Sequence, residues 1–226
     1  MNEFPLGAEV VATPAERPGP VTLAGRHGAV ARLDVARHGG DLWAAVCGHD
    51  ELWTYMPSGP FADEASFLQW LKLRARDDSP YYFYSILDQN GRALGLAAMI
   101  DARPANRVVE IGHIVYGPAL QRTALATEAQ YLLARYVFET LRYRRYEWKC
   151  NALNAASRRA AERLGFVFEG IFRQHMIVKG RNRDTAWYSM LDSEWPPRKA
   201  AFERWLAREN FDSQGRQKLR LEQCMS

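Results

Sequence analysis

From residue 107 to residue 150 the chain reads as strand, then helix, then strand, and this step restricts the fold more than anything else in the sequence. Arg107–Tyr116 reads as a strand. From Ala129 the apolar residues recur at Leu132, Leu133, Tyr136, Val137 and Leu141, the spacing of a helix with one buried face. Thr123 or Thr127 stands where a hydroxyl caps the first turn. Tyr146–Cys150 returns to a short strand.

The flanking elements set that step inside a meander. Residues 1–20 hold Pro5, Pro14, Pro18 and Pro20 and read as an irregular arm. Val21–Leu33 gives one or two short strands, and Asp34 is placed to cap a helix running toward Val46. Glu64–Arg76 is helical by the spacing of Phe67, Trp70 and Leu71. Tyr81–Leu87 and Ala93–Ile100 are strands joined across Gln89-Asn90-Gly91-Arg92, because Asn-Gly accepts positive φ. Pro104–Asn106 connects to the strand at 107. After Tyr146–Cys150, Asn154 precedes a helix over Ala155–Leu164 that Gly165 stops. Phe166–Val178 and Thr185–Leu191 flank the turn Lys179-Gly180-Arg181-Asn182, and Pro196-Pro197 opens a last helix to about Leu206. Residues 211–226 read as a polar tail. A strand–helix–strand step in a largely antiparallel meander predicts a mixed α/β (α+β) sheet of about seven strands with helices on both faces.

Composition bounds the function. The 226 residues suit one domain, and 47% hydrophobic with 25% charged residues is an ordinary globular mix. A net charge of +4, from 30 basic and 26 acidic residues mixed along the chain, gives no block for nucleic acid. No run approaches the roughly 18 apolar residues of a membrane span. The start, Met-Asn-Glu-Phe-Pro-Leu-Gly, shows no signal-peptide pattern, so the cytoplasm is expected. Cys47, Cys150 and Cys224 are odd in number and far apart, which predicts neither a disulfide framework nor a zinc site.

The most informative segment is Glu110-Ile111-Gly112-His113-Ile114-Val115-Tyr116-Gly117-Pro118, followed by Ala119 through Ala129. A strand, a tight turn and a helix start leave free amides at the positive end of a helix dipole, which suits an anion. Gln121-Arg122-Thr123-Ala124-Leu125-Ala126, then Thr127-Glu128-Ala129, resembles the coenzyme A-binding motif of the GNAT family, Arg/Gln-x-x-Gly-x-Gly/Ala followed by Thr-Glu-Ala. Ala124 stands where that family usually has glycine; a methyl there would narrow the cradle or demand a negative φ. Asn154-Ala155-Ala156-Ser157, with Gly165-Phe166 closing the helix, resembles the family's Asn-x-x-Ser helix. The likeness covers about residues 20 to 195 and is greatest to the branch that acetylates protein N-termini, ribosomal proteins included. It sets a domain at 21–195, with the arm at 1–20 before it and the helix and tail at 196–226 after it.

That resemblance implies acetyl-coenzyme A as cosubstrate, no metal, and a primary amine acceptor, either a small molecule or a peptide N-terminus. It implies direct attack in a ternary complex, with no nucleic-acid or membrane partner, in a monomer or homodimer. The strands Arg107–Tyr116 and Tyr146–Cys150 would splay, so that the backbone of Ile114 and Val115 pairs with the coenzyme arm. Amides and side chains of Gln121, Arg122, Thr123, Ala124, Leu125, Ala126 and Thr127 would hold the pyrophosphate, with Asn154, Ser157 and Arg158 beside the coenzyme. Glu110 is the expected base and Ser157 the expected acid. The tyrosine that many relatives use as acid is replaced by Ala161. By the period of two, His113 falls on the face opposite Glu110. Trp43, Trp53, Tyr55, Phe61 and Trp70 are candidates for the acceptor pocket, and His175, Lys179 and Arg181 for contacts from the last hairpin. The alternatives are an acyl-coenzyme A sensor without turnover and, from Tyr143-Arg144-Arg145-Tyr146, a nucleic-acid binder. No Gly-x-Ser-x-Gly elbow supports a serine hydrolase.

Overall fold

Side-chain caps decide where the helices begin. Asp34 accepts the amides of Ala36 (3.0 Å) and Arg37 (3.2 Å) at the start of α1 (Val35–Val46). Asp63 accepts that of Ser66 at 2.8 Å and opens α2 (Glu64–Arg74). Of the two threonines placed near the central helix, Thr123 is the cap of α3 (Ala124–Arg135), taking the Ala126 amide at 3.1 Å. Asn154 takes the Ser157 amide at 3.0 Å and opens α4 (Ala155–Arg163). Pro196 and Pro197 lie in the first turn of α5 (Trp195–Leu206), and a short α6 (Leu221–Cys224) ends the fold. The computed structural model describes residues 4–10 and 13–225.

The strands are β1 (Thr22–Ala24), β2 (Gly28–Arg32), β3 (Tyr82–Asp88), β4 (Ala93–Arg103), β5 (Val108–Tyr116), β6 (Arg145–Asn151), β7 (Val167–Val178) and β8 (Arg181–Leu191). They form one sheet in the order β1-β2-β3-β4-β5-β6-β8-β7, and only β5 and β6 pair in parallel. Eight strands stand where about seven were expected, because residues 21–33 split into β1 and β2. The turn between those two is held by Glu128, whose carboxylate accepts the Arg26 and His27 amides at 2.7 Å each. The last hairpin is tighter than its sequence suggests. Lys179 (φ 49°) and Gly180 (φ 71°) make the whole turn, and β8 starts at Arg181 rather than Thr185.

Helices cover both faces. On one, α3 and α5 bury Val109, Ile111, Tyr146 and Trp148 in the larger core. On the other, α1 and α2 pack Phe67, Trp70 and Leu71 against Phe83, Leu96 and Val115. The arm before β1 is irregular, as its prolines dictate, but it is strapped down. The Gly19 amide donates to the Tyr136 hydroxyl at 3.1 Å, and the Tyr84 hydroxyl donates to the Gly19 carbonyl at 2.9 Å.

The stretch read as a polar tail folds back onto the body. Phe211 bridges to Gln217, Leu221 is fully buried, and Arg204 donates to the Cys224 carbonyl at 2.9 Å.

Candidate active site

β5 and β6 run together only from Val108↔Arg145 to Ile111↔Trp148, and beyond that pair they part. A bulge on the other edge of β5 accompanies the parting. Ala98 faces Gly112 and Leu96 faces Val115, so two steps of β4 oppose three of β5, with His113 at φ 47°. The segment after Ile111, which includes Ile114 and Val115, therefore has no partner strand on its β6 side among the described residues. A groove of about 2190 Å³ passes through the gap, from Tyr55 and Arg74 at one end to Arg163 and Gln217 at the other.

Glu110 lies at the last turns of the paired segment, 5% exposed, with the Lys149 ammonium 2.7 Å from its carboxylate. Burial pushes its carboxyl up to about 7, against the pull of Lys149. Lys149 also meets Glu147 at 3.1 Å and sits 4.1 Å above the Trp187 ring. Burial alone would lower its pKa, but Glu110 and Glu147 outweigh that and hold it above the usual lysine value. Burial likewise works to raise Glu147, yet Arg145, Lys149 and Arg103 together hold it below the ordinary range. The sequence reading did not include Lys149. Its signal was the alternation Tyr146-Glu147-Trp148-Lys149, with aromatics in the α3 core and charges on the opposite face.

Ser157 lines the groove from the first turn of α4. The Trp148 indole donates to its Oγ at 3.0 Å, and since indole N–H is a donor only, the serine's own proton remains available for another acceptor. Burial raises the Cys150 thiol, and the neighbouring Ser157 hydroxyl works against that rise.

At the α3 start the amides divide into two sets. Those of Leu120 and Gln121 donate to the Gly117 carbonyl, Thr123 to Leu120, and Ala126 to the Thr123 hydroxyl. The amides of Arg122, Ala124 and Leu125 have no intramolecular acceptor among the described residues. Ala124 is the first helical residue with an ordinary backbone. The left-handed position is Arg122, at φ 61°, so the methyl in place of glycine costs no backbone strain. The Gln121 side chain donates to the Tyr116 carbonyl at 2.9 Å. The Thr123 hydroxyl donates to Leu120 at 2.7 Å, and the Thr127 hydroxyl accepts from Arg163 at 3.1 Å.

Other expected residues fall differently. Leu125 is buried in the core, leaving only its amide for a ligand. Arg158 turns away, donating to the Tyr188 hydroxyl at 3.1 Å, while Arg159 and Arg163 line the groove. The Asn154 oxygen is engaged as the α4 cap. His113 packs at a tilt against Phe83 and Tyr81, with ring centroids 5.3 and 5.8 Å apart, in the layer covered by α1 and α2. That is the face of Glu110, not the opposite one: the bulge places an extra residue in β5 and breaks the period of two. Of the early aromatics, Tyr55 lines the groove, whereas Trp53, Phe61 and Trp70 pack together with Phe67 beneath it. Trp43 joins that same cluster through Phe67. His175 lines the groove, Lys179 reaches back to the Trp53 carbonyl at 2.8 Å, and Arg181 is exposed outside it. Among the described residues no group of three or more His, Cys, Asp or Glu is placed to hold a metal ion. None of their helices is long and apolar enough to cross a membrane.

Residues 35–167 match the family model described as "Acetyltransferase (GNAT) domain". A Brucella melitensis GCN5-related N-acetyltransferase of known crystal structure is 48% identical, superposes with a TM-score of 0.91, and is covered over 97% of its chain by 94% of this one. A Chromobacterium violaceum ATCC 12472 chain described as "a probable acetyltransferases (GNAT family)" is 41% identical, with a TM-score of 0.79 over 86% of this chain and 99% of its own. The Bacillus subtilis (strain 168) "Putative ribosomal N-acetyltransferase YdaF" is 31% identical over 106 residues, 47% of this chain and only 57% of that protein's length.

Proposed function

The chain belongs to the GNAT acetyltransferase family, and from that premise we propose that it moves an acetyl group from acetyl-coenzyme A directly onto a primary amine, with Glu110 as base and Ser157 as the group that meets the departing sulfur. The observation that supports this most is the coincidence of three features in one groove. They are the parting of β5 from β6 after Ile111↔Trp148, the unpaired amides at the α3 start, and a buried carboxyl with its pKa near 7 at the point of parting.

The residues fit the coenzyme. The amides of Arg122, Ala124 and Leu125, at the positive end of α3, suit a diphosphate. The unpaired edge after Ile111, with Ile114 and Val115, suits an amide-bearing arm that runs as a strand. Arg159 and Arg163 add positive charge at the far end. When bound there, acetyl-coenzyme A supplies the acetyl thioester. Glu110 takes the proton that the amine must lose before or during attack, a task suited to a carboxyl near 7. Lys149 keeps that carboxylate oriented. Ser157, already accepting from Trp148, directs its own proton at the sulfur as negative charge collects there.

The acceptor is a small amine or a peptide N-terminus; the Bacillus subtilis relative is described as a putative ribosomal N-acetyltransferase. A thiol-release assay with acetyl-coenzyme A across peptides, polyamines and amino acids tests the reading. Glu110→Gln is expected to lower kcat by about 10²–10⁴-fold, the range of a lost general base, with little change in coenzyme affinity. Ser157→Ala is expected to lower kcat less. Unchanged turnover in both variants removes the assigned roles, and calorimetry that registers no heat with acetyl-coenzyme A removes the transferase reading itself.

A further inference from the structure

The acidic wall of the groove is balanced within itself. Glu110 is held by Lys149, Glu147 by Arg103 at 2.6 Å and Arg145 at 2.8 Å, and Asp101 stands 3.8 Å from Lys149. Beside that wall stand cations with no such balance. Among the described residues neither Arg74 nor Arg183 forms an ion pair. Arg183 on β8 shares the face of Trp187 and Lys149, and its Nε is buried without a hydrogen-bond partner. Arg74, at the end of α2, lies 4.9 Å above the Trp70 ring and makes one long contact, 3.5 Å, to the Ser58 hydroxyl. Burial lowers the pKa of both guanidinium groups, and for Arg183 the nearby Glu110 carboxylate offsets this only in part.

His113 lines the same groove and feels the charge of both. Burial first, then the charges of Arg74 and Arg183, hold its imidazole down at about 4, so the ring is neutral near pH 7. Its Nδ1 is buried and has no partner among the described residues. Two guanidinium groups without an ion pair and an unpartnered imidazole nitrogen thus line one groove, on the face of Glu110. A guanidinium fork matches a carboxylate or phospho group, and a polar cluster left this incomplete is costly unless something completes it.

We propose that Arg74, Arg183 and His113 form a subsite for an oxyanion carried by the acceptor, so that the preferred substrate is a small primary amine bearing a carboxylate or a phospho group. This rests on the transferase reading and narrows its acceptor.

The test uses matched pairs: 4-aminobutyrate against 4-aminobutyramide, β-alanine against β-alaninamide, and 2-aminoethylphosphonate against ethanolamine, with a C-terminally amidated tetrapeptide lacking acidic side chains as a further acceptor. The first two pairs report a carboxylate source and the third a phospho source. The anionic member is expected to show about tenfold or higher kcat/KM, the size of one charge-assisted hydrogen bond, mostly through KM. Arg183→Gln and Arg74→Gln are expected to bring the anionic-to-neutral ratio close to one, while Arg173→Gln, an exposed change on β7, keeps it. Neutral amines or the peptide preferred over every anionic partner, or a preference that survives the double variant, overturns the subsite. Calorimetry of the coenzyme A-saturated protein with the same amines gives the answer without turnover: absence of heat with every anionic amine also overturns it. The transferase reading stands or falls separately, on acetyl-coenzyme A binding and on turnover of any amine.

Discussion

Glu110 has an ammonium 2.7 Å away and almost no water, and the two act on its proton in opposite directions. Burial prevails and sets the carboxyl near 7. Below that pH the group is protonated and cannot accept the amine's proton. The acid limb of kcat/KM should therefore fall tenfold per pH unit below about 7 and lose that slope in Glu110→Gln. The same shift has a stability consequence. A carboxyl whose pKa is raised from 4.5 to about 7 on folding binds its proton more tightly in the folded state. Its contribution is complete below 4.5 and is lost as the pH rises through 7, so Glu110→Gln should flatten the decline in denaturation midpoint between pH 5 and pH 8. A wild-type rate profile with no inflection near 7 would remove Glu110 as base. That Glu110 and Ser157 fall in the groove was legible because they sit in motifs. Lys149, Arg74 and Arg183 were not, since a lone basic residue in a strand or at a helix end reads as solvated until the fold shows what surrounds it.

Periodicity and capping chemistry carried most of the elements, because both are local. Asp34, Thr123 and Asn154 stand at helix starts in sequence and in structure. The bulge at His113 went unread although Gly112 stands beside it: whether a strand glycine makes a bulge depends on the pairing with β4, which the sequence alone does not show. That one residue reverses the face on which His113 was expected. The choice of Thr123 over Thr127 as cap has its own consequence. Thr123→Ala should cost about 1 kcal/mol of stability, as typical N-cap losses do, read as a lower midpoint in urea. It also releases the Ala126 amide and loosens the Leu120 carbonyl, so the cradle of Arg122, Ala124 and Leu125 loses its fixed geometry. Acetyl-coenzyme A affinity should fall several-fold while kcat at saturation holds. Full affinity in the variant would show that the cradle does not depend on this cap.

The whole molecule closes its groove with its last residues. Residues 211–224 carry few apolar side chains, and by composition they read as solvated. A short segment needs few anchors, however, and here Leu221 and Cys224 enter the main core while Trp205 donates to Gln217 at 2.8 Å. Trp205, Phe211 and Gln217 then form the end of the groove beyond Arg163, which itself lies over the Trp205 ring at 5.3 Å. Burial of the anchors thereby bears on the shape of that end of the groove. Leu221 is fully buried and lies outside the groove, so Leu221→Ala separates the two. It should cost about 2–5 kcal/mol, the range for a buried leucine cut to alanine. If the segment shapes the site, the variant should also bind acetyl-coenzyme A several-fold more weakly, with the acceptor KM unchanged at saturating coenzyme. Loss of stability with undiminished coenzyme affinity would mean that residues 211–224 support the core alone, and that the proposed coenzyme site does not depend on them.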